Sequence, residues 1–198
     1  MNVAILASGT GTNAMALIEE GVKLDRPIRG LICDKLNAPI IEKAKAAGIE
    51  VSIIPRVSNY RKHFDQFEGL ILKQLLEWKV DWIFLAGFMA VLGPDFLKHF
   101  WDFEIKRYKV INIHPSLLPA YKGLQAYHSA FKDHVTHHGA TVHFVDEGVD
   151  CGPIISKCEY PVDPSWTLEQ FIEFGKNQEN RLYKEVFKQF IENNGKLI

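Results

Sequence analysis

From residue 3 to residue 114, short apolar runs alternate with stretches of helical character, and no other pattern restricts the fold as much. Val3-Ala4-Ile5-Leu6 is apolar at every position, as expected of a parallel-sheet strand covered on both faces. Ala14–Glu20 then has helical character, Ile28–Cys33 reads as a second strand, and about Ala38–Ala47 as a helix that Gly48 stops. Val51–Ile54 is a third strand, closed by Pro55. Phe64, Phe67, Leu70, Ile71, Leu75 and Trp78 recur at helical spacing. Trp82–Leu85 makes a fourth strand and Pro94–Phe100 a short helix with proline in its favoured first turn. Trp101–Lys109 is charged and reads as a solvated connector into a fifth strand, Val110–His114. Alternation of this kind predicts an α/β fold built on a doubly wound, mostly parallel sheet.

After His114 the alternation stops. Thr141–Val145 and Ile154–Tyr160 read as strands with little helix between them, and the gap 146–153 is short enough for antiparallel pairing at the sheet edge. Ser165 or Thr167, with Glu169 or Gln170 behind it, caps a long amphipathic helix that runs to about Asn193. No linker divides the 198 residues, so a single domain, 1–198, is expected. The formal charge of -1 argues against a nucleic-acid binder that works by neutralising phosphates. No apolar run is long enough to span a membrane. Cys33, Cys151 and Cys158 are odd in number and lack CxxC spacing, which fits the reduced thiols of a cytoplasmic protein.

Three stretches could carry chemistry. In Val110-Ile111-Asn112-Ile113-His114-Pro115 the alternation of a strand puts Asn112 and His114 on one face. Pro115 cannot donate to a sheet ladder, so an amide and an imidazole are left at a strand's carboxyl end, where open α/β sheets hold ligands. A half-exposed strand with a satisfied histidine would look the same. Ser8-Gly9-Thr10-Gly11-Thr12-Asn13 follows the first strand and opens a helix, which presents backbone N–H groups to an anion. Gly9, Gly11 and Ala14, with Asp34 to take a ribose, also satisfy a loose dinucleotide fingerprint, so an oxidoreductase is an alternative. The hydroxyls and amide among the glycines suit a terminal phosphate at least as well. In the third stretch, Asp146–Pro153, Asp150 is the acid best placed to orient His114 or hold a water beside it, against the alternative of a solvated acidic hairpin.

The remaining histidines are less informative. His134-x-x-His137-His138 has helical ligand spacing, but Gly139 follows and no cysteine is near, so exposed histidines in a polar connection are expected and no metal. His143 could pack, hydrogen-bond or take part in catalysis. Cys151 and Cys158 have no partner base at motif spacing and do not read as nucleophiles.

Together, SGTGTN, LAGFM, NIHPSLLPAYKG and HGATVHFVDEGVDCGPII resemble the folate-dependent formyltransferases that act on glycinamide ribonucleotide. The resemblance runs from Met1 to the final helix. It implies a Rossmann-like formyltransferase fold with antiparallel edge strands and a long C-terminal helix. It also implies transfer of the formyl group of 10-formyltetrahydrofolate, a co-substrate, to the ribotide's amine during purine synthesis, by a monomer or homodimer. Carried over by residue, Asn112, a protonated His114 and Asp150 would be catalytic, and His143 would support them. Gly11, Thr12 and Asn13 would bind the phosphate, and Glu179 the ribose hydroxyls with Lys176 nearby. The folate would lie against Met89, Ala90, Val91, Leu92, Asn112 and the Val145–Val149 backbone, which includes Glu147. Familiar members have arginine where this chain has Ala90, and Arg61 stands at a second position for the folate's glutamate tail. A 10-formyltetrahydrofolate hydrolase would use the same trio with water as acceptor.

Overall fold

A computed structural model describes residues 1–26, 28–56 and 64–196. In its first part β1 (Val3–Ala7), β2 (Gly30–Cys33), β3 (Val51–Ile53) and β4 (Trp82–Ala86) alternate with α1 (Thr12–Lys23), α2 (Ile40–Ala46) and α3 (Phe64–Glu77). α4 (Pro94–Lys98) leads to the short strands β5 (Trp101–Asp102) and β6 (Arg107–Tyr108), and then to β7 (Val110–His114). α5 (Ala126–Lys132), β8 (His137–Phe144), β9 (Ile154–Pro161) and α6 (Leu168–Glu192) complete the chain.

Among the described residues the main sheet has the order β3-β2-β1-β4-β7-β8-β9. β1, β2, β3, β4 and β7 are parallel, and β8 and β9 add antiparallel pairs at one edge. All five residues of β1 and of β4 are buried, as their unbroken apolar sequences require of central strands. Strand order reverses between β1 and β4. The loops leaving these two strands therefore diverge, and the crevice between them opens beside the carboxyl end of β7.

The long helix seals one face of the sheet. Phe171, Gly175, Glu179, Leu182, Tyr183, Val186, Phe187 and Phe190 form its buried stripe, at spacings of three and four residues. Phe187 and Phe190 pack edge-on to Phe84 of β4 at 5.3 and 5.2 Å, and each such burial contributes about 1.5–3 kcal/mol. The fully buried Tyr183 hydroxyl donates to the Leu85 carbonyl (2.8 Å), with the Ile111 carbonyl at 3.3 Å. That contact pins α6 to β4 and β7, and it places Glu179, one turn earlier, over the crevice. Thr167 begins the helix with a reciprocal capping box to Gln170.

The second half departs from expectation in two places. Residues 101–109, read as a solvated connector, form the antiparallel pair β5–β6, held by Trp101 packed edge-on to Tyr108. β8 begins at His137 rather than Thr141, so His137 and His138 alternate across a strand instead of lying in a polar connection. His138 is buried, its Nε2 2.9 Å from the Pro115 carbonyl, while His137 is exposed. Consecutive strand residues face opposite ways, so these two rings do not converge on a shared ion.

Candidate active site

β7 ends as its sequence requires, with His114 as the last strand residue and Pro115 beyond it. Asn112 pairs in register with His143 and His114 with Thr141 across the antiparallel β7–β8 junction. Thr141 then secures the turn after His114, because its hydroxyl donates to the Ser116 carbonyl (2.6 Å) and accepts from Leu118 N–H (3.1 Å). Asn112 and His114 are thereby fixed at the mouth of the crevice.

Asp150 reaches this pair from the loop between β8 and β9. Its Oδ2 lies 3.2 Å from His114 Nδ1, its Oδ1 lies 3.6 Å from His143 Nε2, and Gly123 N–H donates to Oδ2 at 2.8 Å. The residue sits in the left-handed region at φ 51, a conformation that costs an aspartate about 1 kcal/mol and persists where surrounding contacts over-determine it. Burial pushes its carboxyl up. The contacts to His143, Gly123 and His114 outweigh that and leave it below the ordinary carboxylate range.

His114 is buried, with Nε2 2.7 Å from the Tyr121 carbonyl. Both of its ring nitrogens therefore face oxygens that only accept, an arrangement that the doubly protonated ring alone satisfies. Burial acts the other way. It lowers the imidazole pKa, and although the Tyr121 carbonyl and Asp150 raise it, burial prevails in the free protein. The ring is thus positioned to hold a proton that it releases readily. His143 Nδ1 lies 2.7 Å from the Phe144 carbonyl, which only accepts, so this nitrogen carries a proton. In the neutral ring Nε2 then accepts from Asn112 Nδ2 at 3.3 Å, which fixes the amide and leaves its second N–H free to face the crevice.

The other end of the crevice is the turn after β1. Gly11 has φ 75, and a β-carbon there would collide with Ile40 of α2, so a side chain is excluded on both counts. Gly11 is also the N-cap of α1 and contributes no side-chain cap, which leaves the first amides of the helix open. Ser8 Oγ accepts from Met89 N–H at 2.9 Å and ties this turn to the loop after β4. Across from the turn, Glu179 is buried between Asn13 Nδ2, which donates to Oε2 at 2.8 Å, and the Tyr127 hydroxyl, which donates to Oε1 at 2.5 Å. Burial raises the Glu179 carboxyl above the ordinary range, and Tyr127, Asn13 and Lys176 offset part of the rise.

All of these groups line one cavity of about 520 Å³, within the range of small-molecule sites. The expected residues Gly11, Thr12, Asn13, Met89, Ala90, Val91, Leu92, Asn112, His114, His143, Val145, Asp150, Lys176 and Glu179 all border it. Glu147 does not; it is turned toward the Tyr108 hydroxyl, which donates to it at 3.2 Å. Arg61 lies outside the described residues. Asp34, the acid on which a dinucleotide reading depends, is buried and paired with Arg56, so its carboxylate is already committed. Tyr127, the Gly123 amide and the Tyr121 carbonyl had no expected role. Their partners lie 52, 27 and 7 residues away along the chain, and residues 125–128 carry no motif that announces the first of these contacts.

Residues 1–187 match the formyl transferase family. The chain is 37% identical to the phosphoribosylglycinamide formyltransferase of Bacillus subtilis, over 95% of this chain and 93% of that protein. It is 31% identical to the Escherichia coli enzyme of the same name, over 96% and 87%. Among solved structures, phosphoribosylglycinamide formyltransferase from Bacillus halodurans superposes with a TM-score of 0.85 at 34% identity, covering 96% of this chain and 95% of that one.

Proposed function

The chain belongs to the formyl transferase family, and on that premise we propose how its residues divide the work of a phosphoribosylglycinamide formyltransferase. The reaction moves the formyl group of 10-formyltetrahydrofolate to the amine of glycinamide ribonucleotide in purine biosynthesis. The observation that carries the reading is the convergence in one cavity of Asn112, His114 and Asp150 with the open amides of the Gly11–Asn13 turn and the Glu179 carboxylate.

The ribotide phosphate lies at the start of α1, where unpaired N–H groups and the helix dipole favour an anion, and Lys176 adds positive charge. Glu179 takes the ribose hydroxyls. The folate's flat ring lies against the apolar wall Met89, Ala90, Val91, Leu92 and Val145, which brings the formyl carbon to the end of β7. The folate supplies the formyl carbon as the electrophile that the ribotide amine attacks. Asn112, its amide turned by His143, donates to the formyl oxygen as charge develops there, an effect worth about 3–4 kcal/mol for such a donor. His114 Nδ1, 3.2 Å from Asp150, is the nitrogen open to exchange. In its protonated form the ring supports the same charge. Asp150, kept ionised by its lowered carboxyl pKa, receives the proton shed by the amine, through water or through His114, and the proton passes on to the folate N10 as the formyl C–N10 bond breaks and tetrahydrofolate leaves.

The chain is expected to act as a single domain, in a monomer or a homodimer. A cytoplasmic setting fits three cysteines that all remain unpaired. The test is ribotide-dependent loss of formyl from 10-formyltetrahydrofolate. His114→Ala and Asp150→Asn should each lower it by about a hundredfold or more while the protein stays folded. Wild-type turnover in either variant overturns the mechanism, and equal deformylation without the ribotide identifies a hydrolase instead.

A further inference from the structure

The carboxylate at the ribotide end has partners that the reaction itself does not explain. Tyr127 comes from α5, a helix that carries none of the residues assigned to transfer, yet its hydroxyl makes a 2.5 Å bond to Glu179 and borders the cavity. The contact depends on a second position. Gly175 lies one turn before Glu179 on α6, and a β-carbon there would collide with the hydroxyls of both Tyr127 and Tyr160. The missing side chain at 175 thus makes room for a phenol to approach the helix beside its buried acid.

An ionised carboxylate offers four lone-pair sites, two on each oxygen. Tyr127 occupies one on Oε1 and Asn13 one on Oε2, which leaves one free on each oxygen. A vicinal diol supplies two donors, the number of sites that Tyr127 and Asn13 leave. We propose, resting on the assignment of Glu179 to the ribose, that Tyr127 is a positioning residue for the ribotide: seated over Gly175, it fixes Glu179 Oε1 so that the free lone pairs face the diol.

The arrangement also couples ribotide capture to pH. The groups that face Glu179 are Asn13 of α1, Tyr127 of α5, Cys158 and Tyr160 of β9, and Lys176 of α6. Burial raises the Glu179 carboxyl, and donation from Tyr127 is the first influence that counters it. Burial also holds the Tyr127 phenol protonated, so it remains a donor across the working range. Without that hydroxyl, the fraction of Glu179 that is ionised falls at any given pH, and the loss is greatest on the acid side.

The experiment is the pH dependence of steady-state kinetics with glycinamide ribonucleotide for Tyr127→Phe. The ring keeps its edge-on packing against Phe171, 5.5 Å between centroids. A hydrogen bond to a charged group is worth roughly a factor of ten. The ribotide KM should therefore rise about tenfold near pH 6 and only about threefold near pH 8.5, with kcat within about twofold and the folate KM unchanged. The acid limb of kcat/KM for the ribotide moves to higher pH. Gly175→Ala, which displaces the same hydroxyl, should reproduce the pH-dependent rise in KM. An unmoved acid limb, or parallel changes in kcat and KM at every pH, overturns the proposal. Glu179→Gln separates the two levels of inference. If it leaves the ribotide KM unchanged, the ribose assignment fails and Tyr127 with it. If it raises KM and removes the acid limb while Tyr127→Phe behaves as wild type, the Tyr127 proposal alone fails.

Discussion

Asp150, half-buried, and Glu179, buried, are carboxylates bordering the same cavity, and their surroundings push them in opposite directions. Burial raises both. At Asp150, two histidines and a backbone amide reverse the rise and leave the acid ionised. At Glu179, a phenol, a side-chain amide and one lysine only reduce it. The backbones differ as well. Glu179 is carried inside a 25-residue helix, while Asp150 stands on a loop in a left-handed conformation. In the proposed division of work, the carboxylate assigned to proton transfer stands among imidazoles, and the one assigned to the ribose stands among a phenol, an amide and an ammonium group.

The comparison can be broken first at the catalytic end. His114→Ala removes the ring that the proposed mechanism sets between Asp150 and the reacting atoms, and kcat should fall by about a thousandfold with little change in the ribotide KM. Asn112→Ala should cost about a hundredfold in kcat, the loss of a donor to the developing charge. A fall confined to KM in either variant would move that residue to the binding side of the comparison.

Stability against pH gives the smallest but sharpest contrast. The folded-state pKa of Asp150 is depressed, so its contribution is present above its unfolded value, about 3.9, and is lost as pH falls through the lower folded value. The folded-state pKa of Glu179 is raised. Its proton-bound form is favoured by folding, and stability is lost as pH climbs from about 4.3 through the higher folded value. Glu179→Gln should therefore raise the melting temperature at neutral pH, and the gain should vanish in mild acid. Calorimetry at two pH values checks this, and a gain that persists in acid would contradict it.

The two ends of the cavity also differ in how much the sequence disclosed. The strand periodicity of residues 110–114 put Asn112 and His114 on one face, and the acidic loop offered Asp150, because each of these is a local pattern. The Gly11 turn was equally legible, since φ 75 and the approach of Ile40 demand a glycine. The role of Glu179 came through resemblance, as nothing in the periodicity of α6 distinguishes a buried functional acid from an error in an apolar stripe. Tyr127 gave no signal, because its meaning lies in a contact 52 residues away along the chain. Asp34 misleads for the same reason: the Arg56 that neutralises it is distant in sequence and adjacent in space. His138 was misread because burial, rather than local polarity, decides its place, and the β5–β6 pair because the Trp101–Tyr108 contact across it leaves no mark on the local charge pattern.

The most direct test measures kcat and the ribotide KM for Asp150→Asn and Glu179→Gln side by side. The account predicts that Asp150→Asn lowers kcat by about a hundredfold or more and leaves the ribotide KM near wild type. Glu179→Gln should do the reverse, raising KM by about tenfold or more with kcat nearly intact. If the two variants share one pattern, the carboxylates are not divided between proton transfer and ribotide binding.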